Sequence, residues 1–137
     1  MAKATGPYVS HNYTVSLEGP HGPEGLLGGF SDASGLSSHV HKTTGLNKST
    51  DITLKRGVVN SLRISDWISQ ARTTKTLAQR EVIITLHDSA RKPAQRWKLH
   101  NVVPLKYTGP ALSGKDNDVS IEELVLSAEK IEIVTHD

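Results

Sequence analysis

The chain has 137 residues, and its 16 Lys and Arg against 14 Asp and Glu leave a formal charge of only +2. That balance argues against a concentrated basic face for nucleic acid, and no apolar run approaches the roughly 20 residues a membrane-spanning helix needs. Cysteine is absent, so disulfides and thiolate metal sites are excluded and the chain suits a reducing cytoplasm.

A chain of this length buries roughly 70% of the surface its unfolded form exposes, so one domain over residues 1–137 is expected. Hydrophobic residues make up 36% and aromatic residues 4%. The core must therefore be Val, Ile and Leu, with Trp67 and Trp97 as its large anchors. The opening Met1 to Pro7 is not followed by an apolar segment, so no signal peptide is expected.

Most of the chain alternates at period two, the mark of half-buried strands. Tyr13, Val15 and Leu17 share one face, and Asn12, Thr14 and Ser16 the other. Gly19-Pro20-His21-Gly22-Pro23 should end that strand. A Gly- and Ser-rich extended stretch follows over about Leu26 to Val40; small side chains give it little intrinsic strand preference, so it needs neighbours. His41 to Ser49 reads as a loop around Gly45. Asp51 to Arg56 is a strand with Ile52 and Leu54 inward, and Gly57 is expected to end it.

Ile64, Trp67, Ile68 and Ala71 fall at i, i+3, i+4 and i+7, a single apolar helical stripe. The spacing predicts one helix over about 61–73, capped by Asn60 or Ser61, with Asp66 early and Arg72 late to suit the helix dipole. Strands resume with Val82, Ile84 and Leu86. After a polar turn from Asp88 to Pro93, Trp97 and Leu99 share a face. Pro104 and Gly109-Pro110 should break the pattern. Beyond a polar loop at Ser113 to Asp118, Val119 to Ile133 makes one long or two shorter closing strands. The sum is a mainly β chain, a sandwich or barrel with one helix.

Motifs for chemistry are weak. His39 and His41 are two apart, but two ligands do not make a zinc site. Lys115-Asp116-Asn117-Asp118 lacks the distal Glu of a calcium loop. Gly25-Leu26-Leu27-Gly28-Gly29 lacks phosphate-loop spacing, and no Gly-x-Ser-x-Gly elbow is present. Glu122 and Glu123 are adjacent, and neighbours on a strand point to opposite faces. No catalytic residue, metal or cofactor is expected. Small side chains on strands that need partners suit close packing of identical subunits.

The residues also carry a family resemblance. Gly29-Phe30-Ser31 with Ser34-Gly35-Leu36, then Asp51-Ile52-Thr53-Leu54-Lys55-Arg56-Gly57, then Asp66-Trp67-Ile68 occur in the order of the phage tail tube family. Arg96-Trp97-Lys98-Leu99 with Asn101, Pro104 to Pro110, and Glu122 to Ala128 continue it, over about residues 12–134. The chain thus resembles the inner tube proteins of phage tails and contractile injection systems, related in fold to type VI secretion ring proteins.

The resemblance implies a small barrel of two packed antiparallel sheets flanked by the helix. It implies hexameric rings stacked into a tube, with sheath, baseplate and spike proteins as partners and effector cargo in the lumen. Assembly would take place in the cytoplasm, before the tube joins a phage tail or injection particle. It implies no enzyme activity and no nucleic acid sequence recognition. Lys42, Thr43, Thr44, Gly45, Leu46, Asn47 and Lys48 occupy the place of the family's inter-ring loop. In many relatives that loop is longer and carries Pro-Gly; here Ser38 to Thr50 has no proline, and Leu17 to Gly29 is richer in Gly and Pro. A tube-initiating ring near the baseplate and an effector-carrying secreted ring protein are the alternatives.

Overall fold

The period-two segments form seven strands, and the helical stripe forms one helix, among the residues described by the computed structural model: 12–19, 22–36, 50–74, 78–112 and 115–134. In chain order these are β1 Tyr13–Gly19, β2 Gly22–Ser34, β3 Thr50–Asn60, α1 Ser61–Thr73, β4 Arg80–His87, β5 Pro93–Thr108, β6 Asp118–Ala128 and β7 Lys130–Val134. All pairings are antiparallel. The strand order is β4-β1-β2-β3-β6-β5-β7, and an additional β4–β5 pairing closes six of the strands into a barrel, leaving β7 as an appended strand on β5.

Alternation puts Val15, Leu17, Ile52, Leu54, Val82, Ile84, Leu99, Leu124 and Leu126 inside the barrel, joined by Leu27, Phe30 and Val59. Helix α1 follows β3 directly and lies over the end where β1, β3 and β5 finish and β2, β4 and β6 begin. Asn60 caps it, its side chain accepting from the Arg63 backbone N–H at 3.0 Å. Ile64 and Trp67 are buried, and Ile68 and Ala71 pack against the core. Burial of this stripe, more than helix propensity, holds a helix of this length. Arg72 lies in the last turn. Asp66 falls beyond the first turn, which holds no acidic residue, so it does not meet the dipole where expected.

β1 ends at Gly19 as expected, and Gly22 and Pro23 already belong to β2, where Glu18 pairs with Pro23 and Gly19 with Gly22. Two other expected breaks are not breaks. Gly57 lies inside β3 and pairs with Phe30 of β2. A side chain there cannot be seated without a shift, because its Cβ would lie 2.3 Å from Phe30 Cδ2 and 2.5 Å from the Gly29 carbonyl oxygen. The glycine makes room for an aromatic ring, not a turn. Pro104 lies inside β5, paired with Leu126 beside a register shift. By then β5 has passed the end of β4, whose first pairing is Arg80 with Val102, so the missing proline N–H falls where the ladder has one side only.

The closing segment is two strands. β6 pairs with Val103 to Thr108 of β5 and β7 with Arg96 to His100 of the same strand. No helix among the described residues is long and apolar enough to cross a membrane.

Candidate assembly surfaces

The loop residues Lys42, Thr43, Thr44, Gly45, Leu46, Asn47 and Lys48 lie outside the described residues, as do His39 and His41. Their flanks do not: β2 ends and β3 begins at the end of the barrel opposite α1. Gly35, at φ +88°, opens the segment, and a Cβ there would lie 2.4 Å from the Asp51 carbonyl oxygen. The two arms of the loop therefore leave the barrel close together.

Trp67 is fully inside, and its Nε1 donates to the Ala78 carbonyl at 2.5 Å. That bond ties α1 to the segment entering β4. Trp97 is half-buried. Its ring meets Tyr13 across β4, at 6.4 Å between centroids and 39° between planes. It flanks the core beside the C-terminal end of β7, where it pairs with Ile133.

A polar cluster fastens the helix-capped end. Arg80, nearly buried, donates from Nε to Glu24 Oε1 at 3.0 Å and from Nη2 to Gln70 Oε1 at 2.6 Å. Arg63 donates to the Glu24 backbone carbonyl. One carboxylate and one guanidinium thus join β2, β4 and α1. The Lys115 to Asp118 segment has a structural role: Asp116 accepts from Asn60 Nδ2 at 2.6 Å, and the Asn117 carbonyl accepts from Ser61 N at 2.7 Å. Among the described residues no group of three or more His, Asp or Glu could hold a metal.

The outer face of β2, β3 and β6 is charged but compensated. Two exposed residues in succession occur on β3, Lys55 and Arg56, and the facing Glu122 and Glu123 of β6 both stay out of the core. The paired strands bend together here, with Arg56 at φ 53°. The expected opposite pointing of Glu122 and Glu123 fails because the bend interrupts the period of two. Arg56 pairs with Asp32 at 2.5 Å, and Lys106 with Glu123 at 3.3 Å. Exposed pairs of this kind contribute little stability, but they leave a face without a dominant sign.

Among the described residues two large apolar side chains are exposed, Leu105 at 53% and Ile133 at 45%. Leu105 borders a groove of about 600 Å³ between α1 and the last part of β5, with Ile68, Pro104, Pro110 and Leu112. Ile133 lies on β7, whose outer edge has no strand partner among the described residues. An open edge is a template for another chain's strand. Neither feature is visible in periodicity, since both depend on which strands become neighbours.

Among the described residues titration is perturbed at three places. Burial lowers the pKa of His87, whose Nε2 lies 3.0 Å from Thr14 Oγ1. Burial raises that of the Tyr107 phenol, which donates to the Pro110 carbonyl at 2.8 Å. The hydrogen bond from His100 lowers that of Glu132, helped by Lys130.

The family described as T4-like virus tail tube protein gp19 matches residues 12–132. No curated protein sequence matches the chain. Among solved structures, the PVC sheath–tube complex of an extracellular contractile injection system, in the extended state, contains a chain 20% identical, with TM-score 0.59 over 91% of this chain and 89% of that one. The tube-terminating cap of the anti-feeding prophage is similar at 19% identity and TM-score 0.59, over 99% and 96%. The anti-feeding prophage baseplate, six-fold symmetrised, gives 20% identity and TM-score 0.56, over 98% and 97%.

Proposed function

The chain belongs to the tail tube protein family, as a structural protomer of the tube of a contractile injection system, and from that premise we propose that six copies close into a ring and that rings stack into a hollow conduit. The observation that carries the ring is the closed barrel with one appended strand. Six strands each have a neighbour on both sides within the closed barrel, and β7 offers its outer edge to a neighbouring copy. A head-to-tail contact of this kind closes when the rotation per copy divides the circle, while stacking along the axis stays open-ended. The six-fold baseplate that contains a similar fold supports six as the number.

Stacking is assigned to the loop with Lys42 to Lys48, because its flanks leave the barrel opposite α1. One face of the ring then carries loops and the other helices. The compensated face around Asp32, Lys55, Arg56 and Glu123 suits a lumen that passes cargo without holding it. The partners are the sheath around the tube and the baseplate and spike at its end, with effectors as the cargo. The whole of residues 1–137 acts as one unit, assembled in the cytoplasm before it joins a particle. It performs no catalysis and reads no nucleic acid sequence. Because the tube-terminating cap is as similar in fold as the sheath–tube complex, the second reading is a terminal or initiating ring present in few copies.

Light scattering after size exclusion should give a ring-sized species, and negative-stain microscopy should show stacked rings at high concentration or on a baseplate template. Replacing residues 43–48 by a short Gly/Ser turn should leave rings that do not stack. A well-folded monomer that stays monomeric even with a template refutes the ring. Rings that form but never lengthen favour the cap.

A further inference from the structure

The strand that the barrel does not enclose meets one histidine of its neighbour. His100 lies on β5 between β4 and β7, and both of its ring nitrogens meet carboxylates. Nδ1 lies 2.5 Å from Glu81 Oε1 on β4, and Nε2 contacts Glu132 Oε1 on β7. Ionised carboxylates only accept, so each contact needs an N–H, and both together need the doubly protonated imidazolium. Three strands are bridged by one cation.

The backbone beneath is unusual in the same place. The β4–β5 register shifts between Arg80 and Val82, so Glu81 faces both His100 and Asn101, a bulge. Asn101 is at φ 53°. Its backbone N–H is donated to Glu81 Oε2 at 3.1 Å, and its side chain donates to Glu129 Oε1 at 2.9 Å. Glu129, the one residue between β6 and β7, returns its N–H to the His100 carbonyl at 2.9 Å. The charged groups around the ring are thus Glu81 from β4, Lys98 on its own strand, Glu129 from the β6–β7 junction, and Lys130 and Glu132 from β7.

We propose that His100 is a proton-operated latch that holds β7 on the barrel. A neutral imidazole keeps one N–H, so one carboxylate must then face a ring lone pair and withdraw. Glu81 has a second anchor in the Asn101 N–H, whereas Glu132 stands on the exposed last strand. The contact released is therefore Glu132, and the strand loosened is β7. Lys98 and Lys130 lie near enough to Glu132 to favour its ionised form, but they bridge no strand to β4. Histidine is the side chain suited to make this change near neutral pH. If β7 is the edge a neighbouring copy takes up, the latch sets whether that edge is rigid. That consequence rests on the proposed ring; the latch does not.

Hydrogen exchange on the full chain tests it. Rates corrected for intrinsic pH dependence are compared for Lys130 to Val134 and Ile121 to Ala128, from about pH 5 to about pH 8.5. Each sample is fractionated by size, so loss of the latch is read separately from loss of a ring. Protection of β7 should fall severalfold as pH rises, while β6 stays constant. His100→Gln should give low β7 protection that no longer follows pH. Glu132→Gln should also remove the pH dependence of β7 protection without touching the bulge, because an amide can accept from or donate to the ring in either protonation state. Constant β7 protection in the unmodified chain overturns the latch, and so does a pH dependence that survives in Glu132→Gln.

Discussion

Each of the six barrel strands has a neighbouring strand on both sides, β2, β5 and β6 over only part of their length, whereas β7 has β5 alone among the described residues. The barrel strands send their side chains into a common interior, where Val, Ile and Leu are excluded from water. β7 has no buried residue. Its ladder to β5 is five residues long, Ile131 is only partly buried against the core, and Glu132 contacts His100. Deep burial fastens the first region, and a short ladder with polar contacts and one partly buried side chain the second. The first should therefore answer to changes of volume, and the second to changes of charge.

Four experiments sharpen or break that contrast. Trp67→Ala should have the largest effect, a loss of about 3–5 kcal/mol, because it empties the space under α1 and removes the bond to Ala78. Denaturant melts should show it as a drop in midpoint with insoluble expression as the extreme. A loss under about 1 kcal/mol would mean that α1 is not seated as described.

Gly57→Val comes next. The new side chain meets Phe30 and the Gly29 carbonyl, and overpacking of this kind costs about 3 kcal/mol at the upper end of its usual range. Pairing it with Phe30→Ala should recover part of the loss, and a strictly additive double variant would break the claim that ring and glycine compete for one space.

Trp97→Ala should cost less, about 2 kcal/mol, since the ring is half-buried and a fully buried one would lose more. Hydrogen exchange should place the loosening at β5 and β7 more than at β2 and β3. Uniform loosening would make Trp97 a member of the common core and erase the distinction between the two regions.

The smallest effect is the acid limb of Glu132. Its pKa is lowered in the folded chain, chiefly by the hydrogen bond from His100. A carboxylate of this kind contributes above its unfolded value and loses that contribution as pH falls through the folded one. Protection of β7 should therefore decline below about pH 4, the ordinary range for Glu, and Glu132→Gln should remove that decline. An unchanged acid limb in the variant would assign it to another carboxylate.

Much of the fold was legible in the sequence. Alternation identified the inward residues of β1, β3 and β4, because a strand shows its two faces locally. The stripe at Ile64, Trp67, Ile68 and Ala71 located α1, and the Asn60 cap lies beside it, because capping is also a contact between near neighbours. The ordered motifs from Gly29 to Ala128 pointed to the tube family. Lys42 to Lys48 were named as the inter-ring loop from that resemblance, and only their flanks have a described place.

What the sequence left open was settled by contacts between distant residues. Gly57 looks like a terminator until Phe30 lies over it, and Pro104 looks like a break until β4 has ended beside it. Glu122 and Glu123 share the outer side because β3 and β6 bend together. Alternation places His100 on the strand face opposite Trp97 and Leu99 and says no more of it. Only closure of β4 onto β5, with β7 laid along the other side, placed Glu81 and Glu132 on its two nitrogens. Period, cap and composition are properties of neighbours in the chain; register, bulges and open edges are properties of pairs, and they exist only once the sheet has chosen its order.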